Sequence, residues 1–74
     1  MSGVYDGWLH SLSQDGAYPF LLERRGDVKL FRVREPYTVT YHVWNGDRNV
    51  YVGTNNAISY KVFRKESKEE AEEV

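Results

Sequence analysis

The chain has 74 residues and a formal net charge of −1, with no cysteine and only two histidines. This composition excludes disulfide bonds and thiolate metal sites, and we expect neither a metal nor a small-molecule cofactor. A chain of this length forms one domain, and its eleven aromatic side chains supply the burial that a small core needs.

Charge is unevenly distributed along the chain. Residues 1–65 carry nine Lys or Arg against six Asp or Glu, a net of +3, whereas residues 66–74 carry one Lys against five Glu, a net of −4. We therefore expect one small β domain over residues 1–64 and an acidic C-terminal tail over residues 65–74. The tail is expected to be a short helix or disordered, and to add solubility.

No segment of the sequence has the pattern of a signal peptide or of a membrane span. The absence of cysteine fits a reducing compartment. We therefore expect a cytoplasmic protein without a membrane partner.

Strand-like segments recur at intervals of roughly eight to eleven residues, a spacing typical of small barrels and sandwiches. The first covers residues 4–12, and a turn over residues 13–16 separates it from the second at residues 17–24. Pro19 favours either an edge position for that second strand or a place among the first residues of a strand. Gly26 then predicts a hairpin turn, since glycine readily adopts positive φ.

The third predicted strand, residues 27–34, breaks the alternation of apolar and polar positions. Val28 and Leu30 share one face, whereas Phe31 and Val33 share the other. Either both faces are buried, or a bulge near Leu30 shifts the phase and bends the strand between two sheets.

A hairpin follows over residues 37–53, and its pattern leaves the register open. If residues 45–46 form the turn, Tyr41 lies opposite Val50. If residues 46–47 form the turn, Val43 lies opposite Val50 instead.

The last predicted strand covers residues 57–64, where apolar and polar positions again alternate. Together these segments predict an all-β fold. It would be a five- to six-stranded, mostly antiparallel barrel or two packed sheets, followed by the C-terminal helix or tail.

The hairpin carries aromatic residues on both faces, more than one core needs. Bases stack on aromatic rings, and cationic side chains follow the phosphates. The sequence therefore predicts a non-catalytic barrel that binds single-stranded DNA or RNA, or nucleic acid without sequence specificity. The residues expected to stack are His42, Trp44 and Tyr51, and those expected to contact phosphates are Arg32, Arg34, Arg48 and Lys61.

Two other interpretations of the same rings remain open. They could form a second core layer beneath the N-terminal strands. They could also bind a host protein or a second copy of the chain, as in a small viral or mobile-element accessory protein. The paired arginines also have a structural interpretation, because they can pair with Glu23, Asp27 or Glu35 across the strands.

Catalysis has little support in the sequence. Asp6, His10 and Ser11 are close together, but one short segment cannot supply the convergent geometry of a nucleophile, a base and an orienting group. The six glycines are scattered as turn residues and form no phosphate-binding loop. We expect that the protein is not an enzyme.

Overall fold

The computed structural model describes residues 3–72 of the chain, with side chains as far as residue 68. It contains six elements: α1 (Val4–Asp15), β1 (Tyr18–Arg25), β2 (Val28–Arg34), β3 (Val39–Asn45), β4 (Arg48–Gly53) and α2 (Asn56–Glu72). The described residues form one open four-stranded sheet in the order β1-β2-β3-β4, with every neighbouring pair antiparallel. The prediction of a five- to six-stranded barrel or of two packed sheets is therefore wrong.

The first predicted strand is helix α1. Val4, Trp8 and Leu12 recur every fourth residue, which is the spacing of one helix face. Gly16 ends the helix at a φ of 74°, and the N–H of Ala17 donates to the carbonyl of Leu12 at 3.0 Å. This closing bond is typical of a glycine-terminated helix, and it turns the chain directly into β1.

The last predicted strand is the first half of helix α2. The Asn55 side chain accepts a hydrogen bond from the N–H of Ile58 at 3.0 Å, which caps the helix. The buried stripe of α2 is Ser59, Phe63 and Ser67, again spaced every four residues. Each serine hydroxyl donates to a backbone carbonyl of its own helix, so burial leaves no unpaired hydroxyl.

The two helices lie on opposite faces of the sheet. Val28, Leu30 and Val43 pack with Phe63 of α2, and we name this side the α2 face. Val33 and Phe31 lie on the other side, the α1 face, against Leu12 and Trp8 of α1. Double-sided burial thus explains the broken alternation in β2, and β2 itself contains no bulge.

Both tight hairpins turn on a Gly-Asp pair. Gly26 and Gly46 have φ values of 60° and 61°, as expected for a glycine that opens a two-residue turn. The N–H of Gly46 also donates to the carbonyl of Asp27 at 3.0 Å, which joins the two turns at one end of the sheet. The turn predicted at Gly26 is confirmed, and the second hairpin uses residues 46–47.

A bulge at Val50 changes the register of that second hairpin. Trp44 lies opposite Asn49, but Val43 lies opposite Tyr51, so Val50 is the additional residue. The pairing of Val43 with Val50, which the sequence pattern predicted for a turn at residues 46–47, is therefore wrong, and Tyr51 lies on the α2 face.

Helix α2 continues through residue 64, where the sequence suggested that the β domain ends. Glu66 accepts hydrogen bonds from the side chains of Asn45 and Arg48, so this part of α2 packs on the sheet. The side chains of the predicted acidic tail from residue 69 onward lie outside the described part of the structure.

Candidate nucleic-acid interface

The aromatic residue expected to dominate stacking, Trp44, is only 3% exposed. Its ring lies 5.1 Å from that of Trp8 and 5.4 Å from that of Tyr5, measured between centroids. Helix α1, which the sequence did not predict, therefore covers the ring. A base could reach Trp44 only if α1 moved away.

His42 is half-buried beside Trp8, with 5.0 Å between the ring centroids. Its Nε2 atom is hydrogen-bonded to the hydroxyl of Thr40 at 3.0 Å. Burial disfavours the charged imidazolium and lowers the pKa of His42 below its ordinary value. The ring therefore contributes a neutral, mostly enclosed surface near pH 7.

The other expected residues lie apart from this aromatic cluster. Tyr51 is half-buried on the α2 face, where it packs against the cluster around Phe63. Arg48 forms an ion pair with Glu66 at 3.3 Å, and Lys61 is exposed on α2. The seven residues predicted as one interface therefore do not share one surface.

Arg32 and Arg34 do lie together on an open surface. Both are exposed and point to the α2 face of β2, beyond the part of the sheet that Phe63 covers. In β1, Phe20 lies directly opposite Arg32, and Tyr18 lies opposite Arg34. Neither of these β1 residues was predicted from the sequence as part of a site.

A bulge in β1 determines which side chains face the two arginines. The register shifts between Leu21 and Glu23, which leaves Leu22 as the additional residue. An unbroken continuation from the Gly26 turn would place Leu21 opposite Arg32. The bulge moves Phe20 and Tyr18 there instead, because a one-residue shift exchanges the two faces of a strand.

The two β1 rings are open to solvent. Tyr18 is 74% exposed and Phe20 is 58% exposed, although large aromatic side chains usually contribute to a core. The guanidinium carbon of Arg32 lies 5.4 Å from the centroid of the Phe20 ring, within cation–π range.

Two residues of β3 extend the same surface. Tyr41, half-buried, lies opposite Arg32, and Val39, exposed, lies opposite Arg34. Exposed apolar patches with neighbouring cations are typical of binding surfaces. We name this set the aromatic–arginine surface: Tyr18, Phe20, Arg32, Arg34, Val39 and Tyr41.

A shallow cleft of about 290 Å³ borders this surface at the end of β2. It is lined by Gly16, Tyr18, Arg34, Glu35 and Pro36. Its walls therefore include one ring, one cation and one carboxylate. Glu35 opposes an anion at this end, whereas Arg34 attracts one.

A second cleft, of about 350 Å³, lies on the α1 face. Its lining residues are Val4, Trp8, His42, Trp44, Asn49 and Val52. Among the described residues, the Nε1 atom of Trp44 is buried without a hydrogen-bond partner. The cleft is separated from the arginines by the thickness of the sheet, so it is not part of the aromatic–arginine surface.

Residues 3–72 contain no helix that is long and apolar enough to cross a membrane, and no group of three potential metal-binding side chains was found among the described residues. No family model, curated protein or solved structure matches the chain.

Proposed function

We propose that this protein binds single-stranded nucleic acid through the aromatic–arginine surface. The observation that carries the proposal is the register of β1 and β2, which places two exposed rings directly opposite two exposed arginines. Rings on an open sheet stack bases, and guanidinium groups contact phosphates in bidentate fashion.

The interaction energies favour stacking of a base on the Phe20 ring over the cation–π contact that Arg32 makes with this ring. A cation–π contact at an exposed site contributes about 0.5–1 kcal/mol. Stacking of a base on an aromatic ring contributes about 1–3 kcal/mol. A base can therefore displace the guanidinium from the Phe20 ring, and the freed Arg32 becomes available to a phosphate.

The surface suits a single strand better than a duplex. In a duplex the base faces are already stacked on one another, so Tyr18 and Phe20 would gain no ring contact. A ring also accepts any base, because every base has a π-face. We therefore propose binding with little sequence preference.

The alternative function, self-assembly through an open edge strand, is opposed at β1 by specific observations. β1 is an edge strand, but Pro19 lacks an N–H and the bulge at Leu22 interrupts the ladder. Arg24 and Arg25 add charge near its end. Proline, bulges and charges are the features by which proteins block edge-to-edge pairing.

Fluorescence anisotropy tests the proposal. A labelled single strand of about 15 nucleotides, as DNA and as RNA, is titrated with protein at roughly 50 mM salt, beside a duplex of the same length. We expect both single strands to bind and the duplex to bind more weakly.

Matched variants then locate the interface. Phe20→Ser should weaken single-strand binding roughly five- to 150-fold, the range that corresponds to loss of one stacked base. Val52→Ser is the control, because Val52 is 57% exposed on the other edge strand and points to the α1 face. Equal weakening by the two variants, or no binding by the unmodified protein, would contradict the proposal.

A further inference from the structure

The aromatic–arginine surface consists of two parallel rows that cross the strands. The first row is Phe20, Arg32 and Tyr41, and the second is Tyr18, Arg34 and Val39. Each row has an aromatic ring on β1 and an arginine on β2, followed on β3 by Tyr41 in the first row and Val39 in the second. Same-face residues of one strand are about 7 Å apart, so the rows are separated by one such step.

From this repetition, and provided that the proposed function holds, we infer that the surface binds two consecutive nucleotides of a single strand. Each row takes one nucleotide, with the base on the β1 ring and the phosphate at the β2 arginine. The nucleic-acid strand then runs parallel to β1 and β2, because the two rows follow one another in that direction.

Both ends of the surface limit it to two nucleotides. Toward α2, the next position on β2 is Leu30, which is fully buried, and Glu23 lies opposite it on β1. At the other end, β2 stops at Arg34 and Glu35 lines the adjoining cleft. A third phosphate at either end would meet an exposed carboxylate and no further arginine on β2.

The salt dependence of the affinity measures how many phosphates the protein neutralises. For single strands, the logarithm of the affinity falls with the logarithm of the salt concentration by about 0.7 for each neutralised phosphate. Two arginines predict a slope of about −1.4, which is a roughly seven-fold loss of affinity between about 50 and 200 mM salt.

The experiment combines this slope with a length series. Thymidine oligonucleotides with a 5′-phosphate, from one nucleotide upward, compete with a labelled oligothymidine. We expect a large gain from the mononucleotide to the dinucleotide, and afterwards only the gain from additional binding registers.

Arginine variants test whether Arg32 and Arg34 each contact one phosphate. Arg32→Gln and Arg34→Gln should each reduce the slope to about −0.7, a roughly 2.6-fold loss over the same salt range. Arg24→Gln is the control, since Arg24 is exposed on β1 and lies opposite Lys29, on the α1 face of the sheet. It should leave the slope unchanged.

The outcomes test two claims separately: that the surface binds two nucleotides, and that the protein binds single-stranded nucleic acid. Single-strand binding with a slope steeper than about −2.5, or with a large gain for every nucleotide beyond two, would overturn the two-nucleotide footprint and leave the proposed function intact. Failure of every single strand to bind would overturn both.

Discussion

The carboxylate of Asp47 accepts a hydrogen bond from the backbone N–H of Tyr5 at 2.8 Å, although 42 residues separate the two in sequence. Its second oxygen accepts the N–H of Val4 at 3.0 Å. The turn between β3 and β4 therefore caps α1, whose own N-cap residue, Gly3, has no side chain that could do so. This contact fixes the start of the helix that covers Trp44.

Removal of the Asp47 cap should loosen α1. We expect Asp47→Ala to lower the thermal midpoint by about 5 °C, the size of a lost helix cap in a domain of this length. Asp27→Ala is the control, because Asp27 holds the same position in the other Gly-Asp turn. Circular dichroism melts check the pair, and equal shifts for both variants would show that the turn, and not the cap, was damaged.

The same cap explains why residue 3 is glycine. Gly3 has φ −89° and ψ −172°, an extended backbone that alanine also adopts. A Cβ at this position would lie 2.5 Å from Oδ1 of Asp47, so the hydrogen-bonded carboxylate would have to move. We expect Gly3→Ala to destabilise the fold, and to do so much less when Asp47 is already alanine.

Gly7→Ala supplies the matched control for that substitution. Gly7 lies inside α1, and a Cβ there meets nothing within 4 Å. Because glycine in a helix interior is less stable than alanine by about 0.5–1 kcal/mol, this variant should be more stable than the unmodified chain. Opposite signs for the two glycine variants in urea denaturation support the clash with Asp47, and the same sign for both contradicts it.

The buried imidazole of His42 makes stability depend on pH. Burial lowers the pKa of His42 from 6.5, whereas the unfolded chain retains the ordinary value. Between these two pKa values the unfolded state binds more protons, so stability is complete above about pH 6.5 and falls as the pH drops through the folded-state pKa.

Urea denaturation at about pH 7.5 and about pH 5.5 measures this loss. His42→Gln should remove part of the difference between the two pH values. His10→Gln is the matched control for loss of a histidine, since His10 is exposed on α1 and its Nε2 atom is hydrogen-bonded to the side chain of Gln14. An unchanged pH difference in His42→Gln would show that burial of this ring does not cause it.

Ser59 tests how closely α2 approaches the sheet. The residue is fully buried, and its hydroxyl donates to the carbonyl of Asn56 at 2.7 Å. A leucine there would overfill the interface, so we expect Ser59→Leu to destabilise the protein by about 1–3 kcal/mol. Ser11→Leu, at an exposed position of α1, should be close to neutral. Similar losses in both variants would contradict close packing at Ser59.

Local patterns were sufficient for the central sheet but not for the helices. Strands β1 to β4 and their Gly-Asp turns follow from alternation and from glycine in the turns. Helix α1 was missed because the spacing of Val4, Trp8 and Leu12 fits an alternating strand as well as a helix face. The cap that would have marked the helix, Asp47, lies more than 40 residues away in sequence. A helix was expected only from residue 65, and the first half of α2 was taken for a strand because Ser59 makes its buried face look polar.

The candidate site was predictable only in part, because some of its features depend on a helix and a bulge that local patterns do not show. Arg32 and Arg34 were recognised because an arginine is exposed in almost any fold. Trp44 was expected to be open, since α1 was mistaken for a strand, and its burial depends on that helix. Phe20 faces Arg32 only because of the bulge at Leu22, and a bulge that alternation does not reveal cannot be placed from sequence.

Glu35 is expected to oppose nucleic acid at the end of the aromatic–arginine surface, because it lines the cleft between Tyr18 and Arg34. Glu35→Gln removes one negative charge and should tighten single-strand binding about two-fold, within the range of exposed charge pairs. Asp27→Asn makes the same change of net charge at the turn between β1 and β2, at the opposite end of both strands. Anisotropy titrations at low salt compare the two. Equal tightening would mean that net charge alone matters, whereas tightening in Glu35→Gln alone places the phosphates beside Arg34.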